Sequence, residues 1–468
     1  MREIQPSPAQ RSTAQTSPHA WESRVRPKAQ HGDEGRFRSV RAADTRVSRH
    51  RGHPSRRGAQ DYREIMVGPR INPRQAVSPR QVRAAAASPA ASSRVGGRYE
   101  ADLMVACEAV RLASKLCRTS QLQLRDNEGT NQTKDDKLSS PVTVADLGAQ
   151  AIVSWALQNL PSDDGEPRPS QSFSLVAEED SDFLRSAEGG ELRRKVVALV
   201  NSTLESSVLP RLTEQEVLKA IDEGRSEGGS DRRHWVLDPI DGTRGFVGNR
   251  QYAIALALLD EGEPVLGVLG CPNLSLAAAD LDARTHASAT ATSSSSSSSE
   301  SDFEEDASGY LFLAEKQRGA FAVTIASPGD AATSAPVRIT VDEVAAEEAV
   351  YMESVESKHS DHDFARKVAE NSGIVQKSLK LDSQVKYGVI ASGKAHAFMR
   401  FPDLDYKELI WDHAAGAIIM SEAGGVVTDA SGNKLDFSKG RILNNDNGIV
   451  AAPPKLHKRL IQAIKELR

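Results

Sequence analysis

The stretch at residues 235–243 constrains this chain more than any other part of its sequence, and it reads WVLDPIDGT. The three apolar residues at its start predict the end of a buried strand. Pro239 has no N–H to donate to a ladder, so we expect the strand to stop near it. Gly242 allows a tight turn. Asp238 and Asp241 should therefore lie close together, next to the hydroxyl of Thr243.

Two carboxylates in such a position repel each other unless a proton or a cation lies between them. Oxygen ligands without a nearby cysteine or a metal-spaced histidine pair favour Mg²⁺ over Zn²⁺. The alternative for the same residues is an acidic turn that only caps the following helix. The stretch by itself leaves both possibilities open.

The cysteines and the apolar runs limit where the chain can work. Its three cysteines, Cys107, Cys117 and Cys271, form neither a disulfide framework nor a metal-binding spacing. Such usage is typical of a reducing compartment. No apolar run approaches the roughly 18 residues of a membrane-spanning helix, so we expect no membrane association.

The first 98 residues differ from the rest in charge. They contain 19 Arg, one Lys and seven acidic residues, a net charge of +13, whereas the remainder carries −18. They are poor in aliphatic residues, which predicts a disordered leader at residues 1–98. A basic, hydroxylated and acid-poor leader is typical of a transit peptide to a plastid or mitochondrion; without that role the protein would be cytoplasmic. One alternative is a tail without function, and another is a nucleic-acid-binding arm. Few aromatic residues are present for base stacking, so we expect no nucleic-acid partner.

After the leader, helical and strand patterns alternate, which predicts an α/β fold. A first helix is indicated at residues 103–117 and a second at residues 146–160, with Asp146 as the N-cap of the second. A short strand at residues 173–177 leads directly into Glu178. This repeats the arrangement in which an apolar strand ends in carboxylates.

We divide the folded part into an α+β part at residues 99–325 and an α/β part at residues 326–468. The functional site should lie in the cleft between the two parts, a common location for ligands. Residues 277–308 contain a serine run followed by acidic residues. We predict that this segment is a disordered surface insertion without a role in the chemistry.

Several motifs together resemble a known family of enzymes. Three segments resemble the metal-dependent phosphatases of the inositol monophosphatase superfamily. They are Glu178-Glu179, residues 238–243, and WDHAAG at residues 411–416 followed by EAGG at residues 422–425. Three further motifs resemble the 3'(2'),5'-bisphosphate nucleotidases of this superfamily, particularly those of plants and fungi. They are SPVTVAD at residues 140–146, GCPN at residues 270–273 and LDSQVKY at residues 381–387. The resemblance covers most of residues 99–468 and implies a layered αβαβα fold of the inositol monophosphatase type.

The resemblance also implies roles for individual residues. The metal ligands for two or three Mg²⁺ ions would be the carboxylates of Glu178, Asp238, Asp241 and Asp412 and the carbonyl oxygen of Ile240. Thr243 would orient the attacking water together with an aspartate from the loop before Pro141. The substrate would contact Gly242, Thr243, His359, Ser383, Lys386, Arg400 and Asp412.

The loop before Pro141 departs from the family pattern, because it holds about two extra residues between its acidic pair and Pro141. We assign the catalytic aspartate to Asp136, with Asp135 as the alternative. A longer loop adds little closure entropy, so function can survive the insertion. The insertion could also place the aspartate out of reach and weaken catalysis.

These residues predict a Mg²⁺-dependent hydrolase that removes the 3'-phosphate of adenosine 3',5'-bisphosphate, and of 3'-phosphoadenylyl sulfate. One alternative keeps the chemistry and changes the substrate to an inositol polyphosphate or an inositol monophosphate. The other is a non-catalytic nucleotide sensor on the same fold. We expect a monomer whose partner is a small-molecule nucleotide bisphosphate.

Overall fold

The computed structural model describes residues 97–127, 141–160, 173–276, 309–325, 335–355, 360–403, 406–443 and 448–468. The predicted leader up to residue 96, the predicted insertion at residues 277–308, Asp135, Asp136 and His359 all lie outside the described residues.

The larger sheet of the described residues has seven strands. In spatial order, which is also chain order, they are β1 (Leu175–Ala177), β2 (Arg233–Asp241), β3 (Ala253–Asp260), β4 (Glu263–Cys271), β5 (Tyr310–Glu315), β6 (Gly319–Thr324) and β7 (Val337–Ile339). β1 and β2 run parallel, and every other neighbouring pair is antiparallel. β3 and β4 form an antiparallel hairpin around Glu261 and Gly262.

Six helices of the described residues belong to this half of the fold. They are α1 (Glu100–Asn127), α2 (Pro141–Asn159), α3 (Asp182–Arg185), α4 (Gly190–Glu205), α5 (Glu214–Asp222) and α6 (Thr243–Val247). α1 and α2 pack on each other and on one face of the sheet. Their buried side chains, such as Val110, Leu116 and Ile152, form one hydrophobic core with the residues of β2, β3 and β4 that face them.

The smaller sheet has five strands among the described residues, in the order β11-β12-β10-β8-β9. They are β8 (Tyr351–Glu353), β9 (Leu379–Lys380), β10 (Ala397–Arg400), β11 (Val426–Asp429) and β12 (Ile449–Ala452). The helices of this half are α7 (His362–Asn371), α8 (Val385–Ala391), α9 (Ala414–Glu422) and α10 (Pro454–Leu467).

The elements stack as helix, sheet, helix, sheet and helix layers. α8 and α9 lie between the two sheets, where Phe312, Tyr387 and Ile419 belong to one shared core. α7 and α10 cover the outer face of the smaller sheet and form a third core with it. The predicted α/β fold with αβαβα layers is therefore confirmed.

Three details bear on the predictions. The division between residues 325 and 326 stays a prediction, although β7, which lies beyond it, belongs to the larger sheet. The prediction that Asp146 caps its helix is wrong, because α2 already begins at Pro141 and Asp146 lies inside it. None of the described helices combines the length and apolar character needed to cross a bilayer.

Candidate active site

Glu178 and Asp238 are brought together by the parallel pair at one edge of the larger sheet. β1 and β2 pair with Ala177 opposite Leu237. Glu178 and Asp238 are the next residues along the two strands. Because the strands run in the same direction, both acidic residues follow the pair at the same end of it.

Asp241 is turned toward the same side by an irregularity in β2. Asp238 pairs with Ala255 and Asp241 pairs with Ala253, so three steps along β2 match only two steps along β3. Residues three apart on a regular strand point to opposite faces, but the extra residue brings both carboxylates to one face. Pro239 lies within the irregularity, where no ladder bond is needed. The strand continues through Pro239 and ends two residues later at Asp241, in agreement with the prediction that it stops near Pro239.

Gly242 follows the strand and begins the turn into α6. Its φ of +90° is in the left-handed region that favours glycine. A Cβ on Gly242 would also lie 2.9 Å from the Cβ of Ser383. Glycine thus permits both the turn and the close approach of the Ser383 loop, and Thr243 follows as the first residue of α6.

Asp412 reaches this place from the second half of the chain. It ends the short 3₁₀ helix Ile410–Asp412, which contacts β2 and β3. The N-cap of the following helix, α9, is His413 rather than Asp412. Asp412 therefore does not serve as the cap of α9.

Ten of the twelve site residues named from the sequence line one cavity of about 360 Å³. They are Glu178, Asp238, Ile240, Asp241, Gly242, Thr243, Ser383, Lys386, Arg400 and Asp412. The other two, Asp136 and His359, lie outside the described residues, so their positions stay predictions. Residues that the sequence analysis did not single out also line the cavity, among them Gln384, Tyr387, Tyr406 and His413.

The acidic wall of the cavity concentrates negative charge away from water. Burial, followed by the charges of Glu178, Asp241 and Asp412, raises the pKa of Asp238 well above its usual range. Burial and Asp241 raise the pKa of Asp412 to about 7, against the opposing effect of His413. Partial loss of solvent, Glu179 and Asp241 raise the pKa of Glu178 to about 7, even though its side chain keeps an exposed face.

These residues fit a divalent cation. Asp238 is only 3% exposed, and its Oδ1 has no hydrogen-bond partner within the described residues. A buried carboxylate oxygen without a partner is unfavourable unless a proton or cation satisfies it. The nearby donors are oxygen atoms of Glu178, Asp241 and Asp412, the ligand type that Mg²⁺ prefers.

A second acidic group in the described part of the chain shares one residue with this wall. Glu408, Asp412 and His413 offer ligand atoms within 4.8 Å of one another. Both oxygens of Glu408 already have partners, since Arg400 Nε lies 2.8 Å from Oε1 and His413 Nε2 lies 3.1 Å from Oε2. Asp412 is therefore the member best suited to share a cation with Asp238.

The basic side chains that line the cavity, which we call its positive wall, are those of Lys386 and Arg400. Lys386 is 3% exposed, and its Nζ donates to the carbonyl oxygen of Leu381 at 3.0 Å. Burial lowers its pKa to about 8, although Asp241 opposes this shift. Arg400, at the end of β10, is held by Glu408. The cavity thus combines carboxylate oxygens, which suit a divalent cation, with positive side chains, which suit a phosphate.

An exposed aromatic ring completes the cavity. Tyr406 is 42% exposed and lines the cavity, and the guanidinium of Arg400 lies 5.2 Å from the centre of its ring. An exposed ring of this kind can stack on a nucleobase. The ring of Tyr387, in contrast, is buried, and its hydroxyl lies 2.9 Å from His413 Nδ1.

Asp146 is the acidic residue that the sequence analysis assigned wrongly. It is 7% exposed, and burial, Glu179 and Glu178 raise its pKa well above the usual range. The sequence held a signal, because Asp146 is the one charged residue of α2 and starts a polar stripe with Gln150 and Ser154 at intervals of four. The side-chain amide of Gln150 donates to the main-chain carbonyl oxygen of Glu179 and accepts from the main-chain N–H of Glu179.

The comparisons with known proteins agree with this geometry. The sequence profile described as the inositol monophosphatase family matches residues 100–468. The chain belongs to this family. It is 43% identical to a 3'(2'),5'-bisphosphate nucleotidase of Oryza sativa over 379 residues, which cover 80% of this chain and 96% of that protein. It is 44% identical to 3'(2'),5'-bisphosphate nucleotidase 1 of Arabidopsis thaliana over 372 residues, which cover 79% of this chain and 96% of that protein.

Solved structures of the inositol monophosphatase family are more distant. An inositol monophosphatase from Zymomonas mobilis matches with a TM-score of 0.46 and 17% identity, over 79% of this chain and all of that one. The membership that the sequence motifs predict is thus confirmed by the family profile and the curated relatives.

Proposed function

We propose that this member of the inositol monophosphatase family is a Mg²⁺-dependent phosphatase that removes the 3'-phosphate of adenosine 3',5'-bisphosphate, and of 3'-phosphoadenylyl sulfate. The observation that carries the proposal is one cavity that is lined both by the carboxylates and by Lys386, Arg400 and Tyr406. The relatives named 3'(2'),5'-bisphosphate nucleotidase support the same substrate.

The carboxylate wall would hold the cations. Glu178, Asp238, Asp241, Asp412 and the Ile240 carbonyl are the proposed ligands, for two or three ions. Bound there, Mg²⁺ would neutralise the charge of the reacting phosphate and lower the pKa of water.

In the reaction, a water oxygen forms a bond to phosphorus and the bond from phosphorus to the 3'-oxygen breaks. The water loses a proton, and the leaving 3'-oxygen gains one. Thr243, as the first residue of α6, would position the water with its hydroxyl. Asp146 is buried beside Glu178 and Asp238, and we propose it as an acceptor of the water proton in addition to Asp136.

The positive wall would select the substrate. Lys386 and Arg400 would bind the 5'-phosphate, which AMP and adenosine 3',5'-bisphosphate share, while Tyr406 would stack on the base. An inositol ring has no π-face for Tyr406 to contact. This wall therefore favours a nucleotide over an inositol phosphate, and the inositol alternative has no observation of its own in its favour.

The test is a phosphate-release panel with purified protein. Adenosine 3',5'-bisphosphate should exceed AMP and inositol 1,4-bisphosphate in kcat/KM by about 100-fold or more, since a site built for a polar group rejects analogues without it. A chelator should abolish the release, and added Mg²⁺ should restore it. Equal rates on all three substrates would contradict the substrate assignment, and no Mg²⁺-dependent release from any of them would favour the sensor alternative.

We also propose that the basic leader directs the protein to a plastid or mitochondrion and that the protein is a monomer. The motivation for the first is the composition of residues 1–98. Imaging of the full chain and of residues 99–468, each fused to a fluorescent protein, would contradict it if both stayed in the cytosol. A dimer mass in sedimentation would contradict the second.

A further inference from the structure

Gln384 is hydrogen-bonded to both sides of the carboxylate wall. It is 2% exposed and lies at the cavity between Ser383 and α8. Its main-chain N–H donates to Asp241 Oδ2 at 2.5 Å. Its side-chain Nε2 donates to the carbonyl oxygen of Trp411, the residue before Asp412, at 2.8 Å. One residue therefore joins two proposed metal ligands that come from opposite halves of the chain.

The side chain of Gln384 also serves the helix that follows Asp412. Its Oε1 accepts from the N–H of Gly416 at 3.1 Å. Gly416 is the third residue of α9, so its N–H has no partner within the helix. The N-cap residue His413 makes no side-chain cap hydrogen bond. Gln384 thus accepts a hydrogen bond from an N–H group in the first turn of α9, where the side chain of the N-cap residue accepts none.

The same residue belongs to the wall that would bind the nucleotide. Ser383 has a φ of +65°, a conformation that a residue with a side chain rarely adopts without support. The N–H of Val385 contacts Ser383 Oγ at 3.3 Å, and Lys386 Nζ donates back to Leu381. These internal bonds make the 381–386 loop a stiff unit, so that a shift of Gln384 is transmitted to Ser383 and Lys386.

We propose that Gln384 is a positioning residue that couples cation binding at the carboxylates to nucleotide binding at the Ser383–Lys386 loop. The coupling partner rests on the proposed function, whereas the effect on cation binding does not. A bound nucleotide would hold the loop, the loop would hold Trp411 and Asp241, and the carboxylates would be pre-arranged for the cation. Such coupling is reciprocal, so the cation must raise the affinity for the nucleotide by the same factor.

The decisive variant is Gln384→Met. Methionine keeps the length of the side chain and the main-chain bond to Asp241, and removes only the two amide bonds toward Trp411 and Gly416. The matched control is Asn201→Leu. Asn201 also has a buried side-chain amide, which makes two hydrogen bonds to the main chain of Leu212. It lies in α4 and does not line the cavity.

Calorimetric Mg²⁺ titrations measure the coupling without any turnover. In the unmodified protein, AMP should raise the Mg²⁺ affinity at least about fivefold. Gln384→Met should weaken Mg²⁺ binding about tenfold, as expected when a residue supporting metal ligands is lost. In this variant, the ratio of the Mg²⁺ affinities with and without AMP should be close to one. Inorganic phosphate, which would contact the cations directly, should keep its effect in the variant. Asn201→Leu should leave all three quantities unchanged.

Several outcomes would overturn the proposal. Unchanged Mg²⁺ affinity in Gln384→Met would exclude the positioning role. Weaker Mg²⁺ binding with an intact AMP effect would mean that the role is structural only. If Gln384→Met fails to fold, Gln384→Asn replaces it, because the amide stays neutral and polar but is one methylene too short to reach both Trp411 and Gly416; the same result is expected. Failure of the proposed function would appear separately, as absence of nucleotide hydrolysis by the unmodified protein.

Discussion

Asp146 shows how one carboxylate depends on its surroundings. In the middle of an apolar helix it has no capping function, and its burial beside Glu178 and Glu179 favours the neutral acid in the absence of cations. Positive charge at the carboxylate wall would reverse this preference. A buried group whose protonation responds to its neighbours in this way is suited to proton transfer.

We expect Asp146→Asn to lower kcat for adenosine 3',5'-bisphosphate about 100-fold or more, the usual contribution of a positioned acid or base. The same variant should raise the free energy of unfolding without Mg²⁺ by about 1 kcal/mol, because a buried ionisable group is removed. Steady-state kinetics and urea unfolding measure the two effects. Asp136→Asn is the comparison, and full activity of Asp146→Asn beside an inactive Asp136→Asn would assign the role to Asp136 alone.

At the scale of elements, α10 is attached to the smaller sheet by a buried histidine. His457 lies 7% exposed in α10, and its Nε2 is 2.8 Å from Thr428 Oγ1 in β11. The Thr428 hydroxyl donates to the carbonyl oxygen of Asp429, so it accepts from His457. Burial lowers the pKa of His457 to about 4. The helix therefore docks with the neutral imidazole.

This depressed pKa predicts a pH dependence of stability. The unfolded chain binds a proton at His457 near pH 6.5, and the folded protein does so only near pH 4. The contribution of the neutral histidine is thus complete above pH 6.5 and is lost as the pH falls toward 4. Relative to His457→Gln, the unmodified protein should lose about 2 kcal/mol of unfolding free energy between pH 7 and pH 4. Urea unfolding at several pH values measures the difference, and parallel pH profiles would contradict it.

At the scale of the whole molecule, Arg441 joins the two halves of the fold. Its guanidinium donates to the carbonyl oxygens of Ala177 at 2.5 Å, Ser226 at 3.0 Å and Gly224 at 3.2 Å. It also lies 4.7 Å from the centre of the Trp411 ring. Ala177 precedes Glu178 and Trp411 precedes Asp412. One side chain therefore contacts the segments that carry proposed metal ligands from both halves of the fold.

We expect Arg441→Met to lower the unfolding free energy by about 2–3 kcal/mol, since it leaves carbonyl oxygens without a charged donor. It should also weaken Mg²⁺ binding about tenfold. Arg441→Lys should recover only part of both effects, because an ammonium lacks the planar fork. Urea unfolding and calorimetry measure these changes.

The control for Arg441 is Lys434→Met. Lys434 forms an exposed ion pair with Glu263, and exposed pairs contribute at most about 1 kcal/mol. A Mg²⁺ affinity in Arg441→Met equal to that of the control would show that Arg441 stabilises the fold without arranging the site.

The sequence by itself determined which residues are candidates for the chemistry wherever the signal was local. The strand patterns that end in Glu178 and Asp238 can be recognised from the sequence, because the apolar residues of each strand and the acidic residue that follows them are adjacent in the chain. The motif around Asp412 is equally local. The family and the alternation of helices and strands followed from such signals, and the resemblance to that family supplied the ten predicted site residues that line the cavity.

Only the tertiary structure decided how these residues meet. The extra residue in β2 turns Asp238 and Asp241 to one face, but its position depends on the pairing with β3. The burial of Asp146 and the bonds of Gln384 depend on segments far away in the chain. Periodicity reports contacts within one element, whereas packing between elements selects the partners of a buried polar group. Sequence patterns therefore do not predict hydrogen bonds and charge interactions between residues that are far apart in the chain.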